Sequence, residues 1–145
     1  MSLIELVVVM LVLGILAAAA GPRFANSIVQ YRAQAAARRV AADLNFARRN
    51  AITTSTPRTV DFDLTNNLYT LAGIKDPDHP AMDYQVTLSN TGYPASVAAA
   101  DFNGNPTVTF DIFGRPDSGG TVLVQAGSNI EAIAVDAESG KAAVQ

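Results

Sequence analysis

The chain contains no cysteine, so it has neither a disulfide framework nor a thiolate metal site. It has one histidine, His79, set between Asp78 and Pro80 in a stretch that reads as a solvated loop. Asp76, Asp78 and His79 could approach a metal, but Pro77 and Pro80 restrict the backbone and no second cluster accompanies them. Asp101-Phe-Asn-Gly-Asn105 opens like a calcium loop. It then fails: the sixth position is Pro106 instead of Gly and the twelfth is Ile112 instead of Glu, so a tight Asp/Asn turn is expected. There is no glycine-rich phosphate loop and no nucleophile elbow, since Gly119-Gly120 lacks a strand-loop-helix context. No grouping suits nucleophilic or acid–base catalysis, so no enzyme activity, metal or cofactor is expected. Low-complexity tracts, internal repeats and long linkers are also missing.

What is present begins with Leu3 to Ala20, apolar or small throughout except for Glu5. Eighteen helical residues span about 27 Å, close to the hydrocarbon thickness of a bilayer. A carboxylate at the centre of such a span costs roughly 2.5–3.5 kcal/mol, less near an end. Its nearest unpaired cation is the amino group of Met1. Two plainer readings compete. In a secretory signal peptide, Leu6 to Ala20 is the apolar core and Ala18-Ala19-Ala20 precedes the cleavage site, but Glu5 has the wrong sign for the basic end of such a signal. In a plain membrane anchor, Glu5 bonds the free N–H groups of its own first turn, where the helix dipole favours an acid.

The net charge of −3 conceals a segregation. From Arg23 to Ile52 there are six Arg against one acid, Asp43, giving +5. From Thr53 to Gln145 there are four bases against eleven acids, giving −7, and Glu5 restores the total of −3. A solvated basic helix face is one reading; complementarity between the basic helix of one subunit and the acidic domain of another is the other.

Gly14 and Pro22 are the two helix breakers in the first half of the helix, and weakened hydrogen bonding is expected between them. Beyond Pro22 the pattern turns amphipathic, with Phe24, Ile28, Tyr31, Ala35, Val40, Leu44, Ala47 and Ala51 forming the expected buried stripe. Thr53-Thr-Ser-Thr-Pro57 stops the helix. From Arg58 the period changes to two. Val60, Phe62 and Leu64 alternate with Asp61 and Asp63, and Thr65-Asn66-Asn67 turns the chain into Leu68 to Leu71. Further strands are expected at Tyr84 to Leu88, Thr107 to Phe113, Thr121 to Gln125, Ile130 to Val135 and Ala142 to Gln145. Asn90 to Asn105 reads as a poorly patterned connection. The expected fold is α+β: a long N-terminal helix packed on a C-terminal antiparallel β-rich head. Residues 1–22 form the transmembrane part, 23–54 the amphipathic second half of the helix, and 55–145 the head.

Ser2-Leu3-Ile4-Glu5-Leu6-Val7-Val8-Val9, with Gly14, the alanine-rich end and Pro22, resembles the mature N-terminus of type IV pilins and type II secretion pseudopilins. Three head segments resemble the GspH/FimT group of that family: Asp43 to Ile52, Phe110 to Pro116, and Val135 to Lys141. The resemblance implies that a prepilin peptidase removes a short basic leader and N-methylates Met1, where the family usually has Phe. It implies that Glu5 of one subunit meets the terminal amine of a neighbour in a filament, and that the Gly14 to Pro22 segment unwinds on packing. The partners implied are other pilins or pseudopilins, the membrane before assembly, and an assembly platform. The subunit would start as a single-pass inner-membrane protein with an extracytoplasmic head and end in a periplasmic or surface filament. A minor tip subunit that primes assembly or binds secreted cargo is an alternative. A DNA-binding minor pilin is another, although the region after Gly140 offers one cation, Lys141, and the head is acidic. The lack of cysteine departs from the disulfide-closed loop of many major pilins. Some pseudopilins bind calcium, so a calcium site elsewhere in the head stays open.

Overall fold

The computed structural model describes residues 2–145 except Thr91 and Tyr93, with residues 19–26 described by backbone alone. Among the described residues one α-helix, α1 (Leu3–Thr54), is followed by eight strands: β1 (Arg58–Asp63), β2 (Leu68–Lys75), β3 (Asp83–Thr87), β4 (Ser96–Asp101), β5 (Thr107–Phe110), β6 (Gly120–Ala126), β7 (Asn129–Val135) and β8 (Ala142–Val144). The strands form two antiparallel four-stranded sheets, ordered β3-β2-β1-β5 and β4-β6-β7-β8. The fold is α+β, with the second half of α1 packed most extensively on β6, β7 and β8 and next on β1.

The helix needs no sheet to form, because its alanine-rich sequence favours it at nearly every position. It ends through backbone geometry: Ser55 adopts a left-handed φ of 48°. The Ser55 N–H donates to the Ile52 carbonyl at 3.3 Å and the Thr56 N–H to that of Ala51 at 3.2 Å, the paired bonds of a Schellman stop. The kink or unwinding expected between Gly14 and Pro22 does not interrupt α1, which runs as one helix through both. Pro22 removes a single backbone bond, and in one subunit nothing would satisfy the amides that further unwinding frees.

The buried helical positions are Ala33, Ala36, Ala37, Val40, Ala41, Leu44, Ala47 and Ala51. Small side chains here let the two sheets approach the helix backbone closely. Three expected members of the stripe lie elsewhere: Ile28 is 51% exposed, Tyr31 is 58% exposed, and Ala35 is only half-buried. Phe24 has a side chain outside the described residues. The strand faces are better matched. Val60 and Phe62 of β1, Tyr69 and Leu71 of β2, and Val108 and Phe110 of β5 all point inward, with Val60 opposite both Leu71 and Val108. The Phe62 ring lies 5.6 Å from that of Tyr69 and 6.1 Å from that of Phe102, which closes the core between the sheets.

Four expectations about strands need correction. β4 lies inside the stretch read as an unpatterned connection; Val97-Ala-Ala-Ala100 offers no polar–apolar contrast, yet it pairs with β6 across a bulge. β5 stops at Phe110 instead of Phe113, because the Asp111 carboxylate accepts the N–H groups of Phe113 and Arg115 at 2.9 and 2.8 Å and turns the chain. Ile112 therefore sits in the turn, 40% exposed. Leu64 is likewise in a turn, after Asp63 accepts from the Thr65 and Asn66 N–H groups. Leu88 is buried from a short 3-10 turn (Leu88–Asn90), not from β3.

Candidate functional site

At the start of α1, the Ser2 backbone N–H reaches the Glu5 Oε2 at 3.4 Å, a long contact to the helix's own first turn. Glu5 is exposed in the single chain. Around it, Leu3 is 84% exposed and Met10 66% exposed, and every described side chain from Ser2 to Ala18 faces outward. Met1, the other expected member of the assembly pair and the expected methylation site, lies outside the described residues. Gly14 stands in open space, with nothing within 4 Å of where a Cβ would sit. Among the described residues no helix is long and apolar enough to cross a membrane. The expected span from Leu3 to Ala20 ends on Ala19 and Ala20, whose side chains lie outside the described residues.

The second half of α1 is bolted to the head by polar side chains that sequence reasoning did not single out. Asp43 accepts the Tyr69 hydroxyl of β2 at 2.5 Å and faces the Arg39 Nε one turn earlier at 3.6 Å. Arg39 in turn donates to the Tyr84 hydroxyl of β3 at 3.0 Å. Burial raises the Asp43 carboxyl above the ordinary carboxylate range, and the Tyr69 and Arg39 contacts only partly oppose it. Burial, with the Asp43 charge adding to it, pushes the Tyr69 phenol well up, so it remains a hydrogen-bond donor. Burial works against the Arg39 charge, but the Tyr84 and Asp43 contacts outweigh it and its pKa stays above the usual value.

Three further side chains join helix to loop or strand edge. The Asn45 amide donates to the Ala142 carbonyl at 2.8 Å and accepts the Ala142 N–H at 3.2 Å, so it occupies the outer edge of β8 as a neighbouring strand would. Arg48 donates to the carbonyls of Gly114 and Ser139 at 3.1 and 2.7 Å. Arg58 ties Asn50 of the helix to the Gly73 carbonyl of β2. Asp43, Asn45 and Arg48 all fall within the Asp43 to Ile52 segment, as polar residues beside the apolar stripe.

Gly114 and Gly140 adopt positive φ, at 78° and 67°. A Cβ on Gly140 would run into the Gly114 carbonyl oxygen, so the Phe110 to Pro116 and Val135 to Lys141 segments meet through their glycines. A shallow cavity of about 400 Å³ between these turns is lined by Arg115, Pro116, Ala137 and Glu138. Beside it Asp136 accepts from Ser139, which holds its carboxyl below the usual range.

The loops weighed as ligand sites turn inward on their own backbones. Asp76 accepts the N–H groups of Asp78 and His79 at 2.8 and 3.3 Å. Asp101 accepts the Gly104 N–H at 2.7 Å within a tight turn closed by Phe102 and Asn105. Among the described residues no three metal-ligating side chains come together. Lys141 is exposed at the base of β8, as the single cation of its hairpin.

The model of the family described as type II transport protein GspH matches residues 36–140. Two crystal structures of the Pseudomonas aeruginosa (strain PAO1) type IV minor pilin FimU share the fold. One, in space group P65, has a TM-score of 0.56 at 14% identity over 77% of this chain and 91% of that one. The other, in space group P21, has a TM-score of 0.57 at 13% identity over 80% of this chain and 88% of that one. At such identities the likeness is one of fold. No curated protein matches the chain at a significant level.

Proposed function

This chain belongs to the GspH family of type II transport proteins, and from that premise we propose that it is a non-enzymatic structural subunit of a type IV pilin-like filament, either a pilus or a type II secretion pseudopilus. The observation that carries the reading is the exposed apolar first half of α1, joined to a head that is already closed around its own core. A patch of that extent does not remain in water on a monomer. Before assembly it lies in the inner membrane as a single span, with the head on the extracytoplasmic side. A prepilin peptidase trims and methylates the chain at Met1, and an assembly platform then lifts it into a filament. Leu3 to Ala20 exchange lipid contacts for protein contacts, so the net hydrophobic gain is small and packing must supply the specificity.

Glu5 supplies the register in this scheme. Its contact with its own first turn is long, which leaves the carboxylate available to the terminal amine of a neighbour. Glu5→Ala should therefore insert into membranes like the wild type yet fail to polymerise. Normal filament yield from that variant would count against the mechanism.

A second reading is a minor subunit at the filament tip, and likeness of fold to a minor pilin favours it. Imaging the purified full-length protein separates the two, because long uniform fibres belong to the first alone. Neither calcium nor DNA belongs to this proposal. A thermal shift on adding calcium, or a gel shift with duplex DNA, would argue for those alternatives.

A further inference from the structure

Asparagine followed by glycine is a chemically weak pair, because glycine has no side chain to shield its backbone nitrogen from the asparagine amide. Among the asparagines of the chain, Asn103 alone precedes a glycine. Asn103 and Gly104 form the centre of the turn that follows β4, with φ of 56° and 88°. Positive φ at both central residues is the twisted two-residue turn that an Asn-Gly pair favours. Phe102 and Asn105 close it, the Phe102 N–H donating at 2.8 Å and the Asn105 N–H at 3.3 Å to the carbonyl of the other. Asn103 is exposed, and a Cβ on Gly104 would meet nothing within 4 Å, so water reaches both. The Gly104 nitrogen is nevertheless engaged: its N–H donates to the Asp101 Oδ1 at 2.7 Å.

We propose that Asn103 is a deamidation site of this chain and that Asp101 holds the reaction off. In that reaction the Gly104 nitrogen gives up its proton to solvent and attacks the Asn103 Cγ. A new carbon–nitrogen bond forms, the bond from Cγ to the side-chain nitrogen breaks, and that nitrogen leaves as ammonia with a proton from water. Water then opens the five-membered imide at either carbonyl. Opening at the side-chain carbon gives aspartate, and opening at the main-chain carbon gives isoaspartate, whose backbone carries an extra methylene. Asp101 opposes the first step twice: its bond holds the proton that must leave, and its charge disfavours a nitrogen anion beside it. The surroundings show what an isoaspartate would disrupt. Phe102 is 1% exposed, its ring lies 6.1 Å from that of Phe62, and a Cβ on Gly120 would already run into that ring and the Asp101 carbonyl oxygen. A turn lengthened by one backbone atom cannot keep the Phe102–Asn105 pair closed in so tight a seat.

The test uses the full-length chain in detergent, held in mildly alkaline buffer, with aspartate and isoaspartate at Asn103 followed by peptide mapping and mass spectrometry. The folded protein should deamidate more slowly than the same chain unfolded in urea. Asp101→Ala should speed the folded-state reaction about 10- to 100-fold, the worth of a hydrogen bond to a charged group. Asp101→Asn, which keeps an acceptor but no charge, should fall between the two, and it carries the comparison if Asp101→Ala does not fold. Gly140→Ala loosens the head at another turn and separates local from global opening. Equal acceleration by Gly140→Ala and the Asp101 variants, or no acceleration by the latter, would overturn the role of Asp101. A urea-unfolded chain that keeps Asn103 intact would overturn the site itself.

Discussion

The two halves of α1 have the same secondary structure and opposite surroundings. From Leu3 to Leu16 the helix carries large apolar side chains that stay exposed. From Ala33 to Ala51 it buries mostly alanine, yet two sheets close over it. Hydrophobicity alone therefore does not decide burial in this molecule. The second half is buried because small side chains let strands approach, and because polar residues such as Asn45 and Asp43 sit at the right height to hold those strands. The first half is left to whatever surrounds the subunit.

The contrast can be tested by truncating one side chain in each half. Leu44→Ala should destabilise the head by about 2–5 kcal/mol, since it leaves a cavity in a packed site. Leu6→Ala, on the exposed side, should leave the head's thermal midpoint unchanged. Equal losses in a detergent-phase melt would break the comparison.

Glycine offers a smaller version of the same test. Gly140→Ala places a side chain at positive φ against the Gly114 carbonyl and should cost about 1–3 kcal/mol in a urea melt. Gly14→Ala meets nothing and gains helix propensity of up to about 1 kcal/mol, so the head should melt as before. A destabilised head in the Gly14 variant would mean that the two halves of α1 are energetically coupled.

The smallest effect is a pH dependence that arises in the second half, at Asp43. Asp43 binds its proton more tightly in the folded chain than in the unfolded one, because burial raises its pKa. The folded state then holds more protons between the ordinary carboxylate value and the raised one. Stability therefore falls as pH rises through that window, and levels off above it. Tyr69→Phe removes the hydroxyl that opposes the shift, so the fall should deepen by about 1–2 kcal/mol. Asp43→Asn should remove this contribution, and wild-type urea midpoints that rise with pH relative to those of Asp43→Asn across the window would contradict the assignment.

Strands with contrast were legible in the sequence. Val60 and Phe62 alternate with aspartates, and they bury as expected. β4 was not legible, because Val97 followed by three alanines has no period to read; its pairing with β6 makes it a strand. The strand expected from Thr107 to Phe113 runs too far because Ile112 continues the alternation of Val108 and Phe110, but a single carboxylate, Asp111, bonds the following amides and ends the strand first. The helical stripe failed at its first members for a related reason. Three- and four-residue steps describe either face of a helix, and Ile28 and Tyr31 satisfied the spacing while lying on the other side from Leu44.

By itself the sequence determined that the chain begins with a long apolar helix carrying one acid, continues as an alternating β-rich head, and separates its basic from its acidic residues. Those features depend on local propensity, periodicity and charge, which short windows record. Only the tertiary structure decided which side of the helix the sheets cover and where the strands stop. It also decided that Asp43 meets Tyr69 and that Asn45 occupies the edge of β8. The last two depend on groups 26 and 97 residues apart coming within hydrogen-bond reach, and no local pattern encodes that distance.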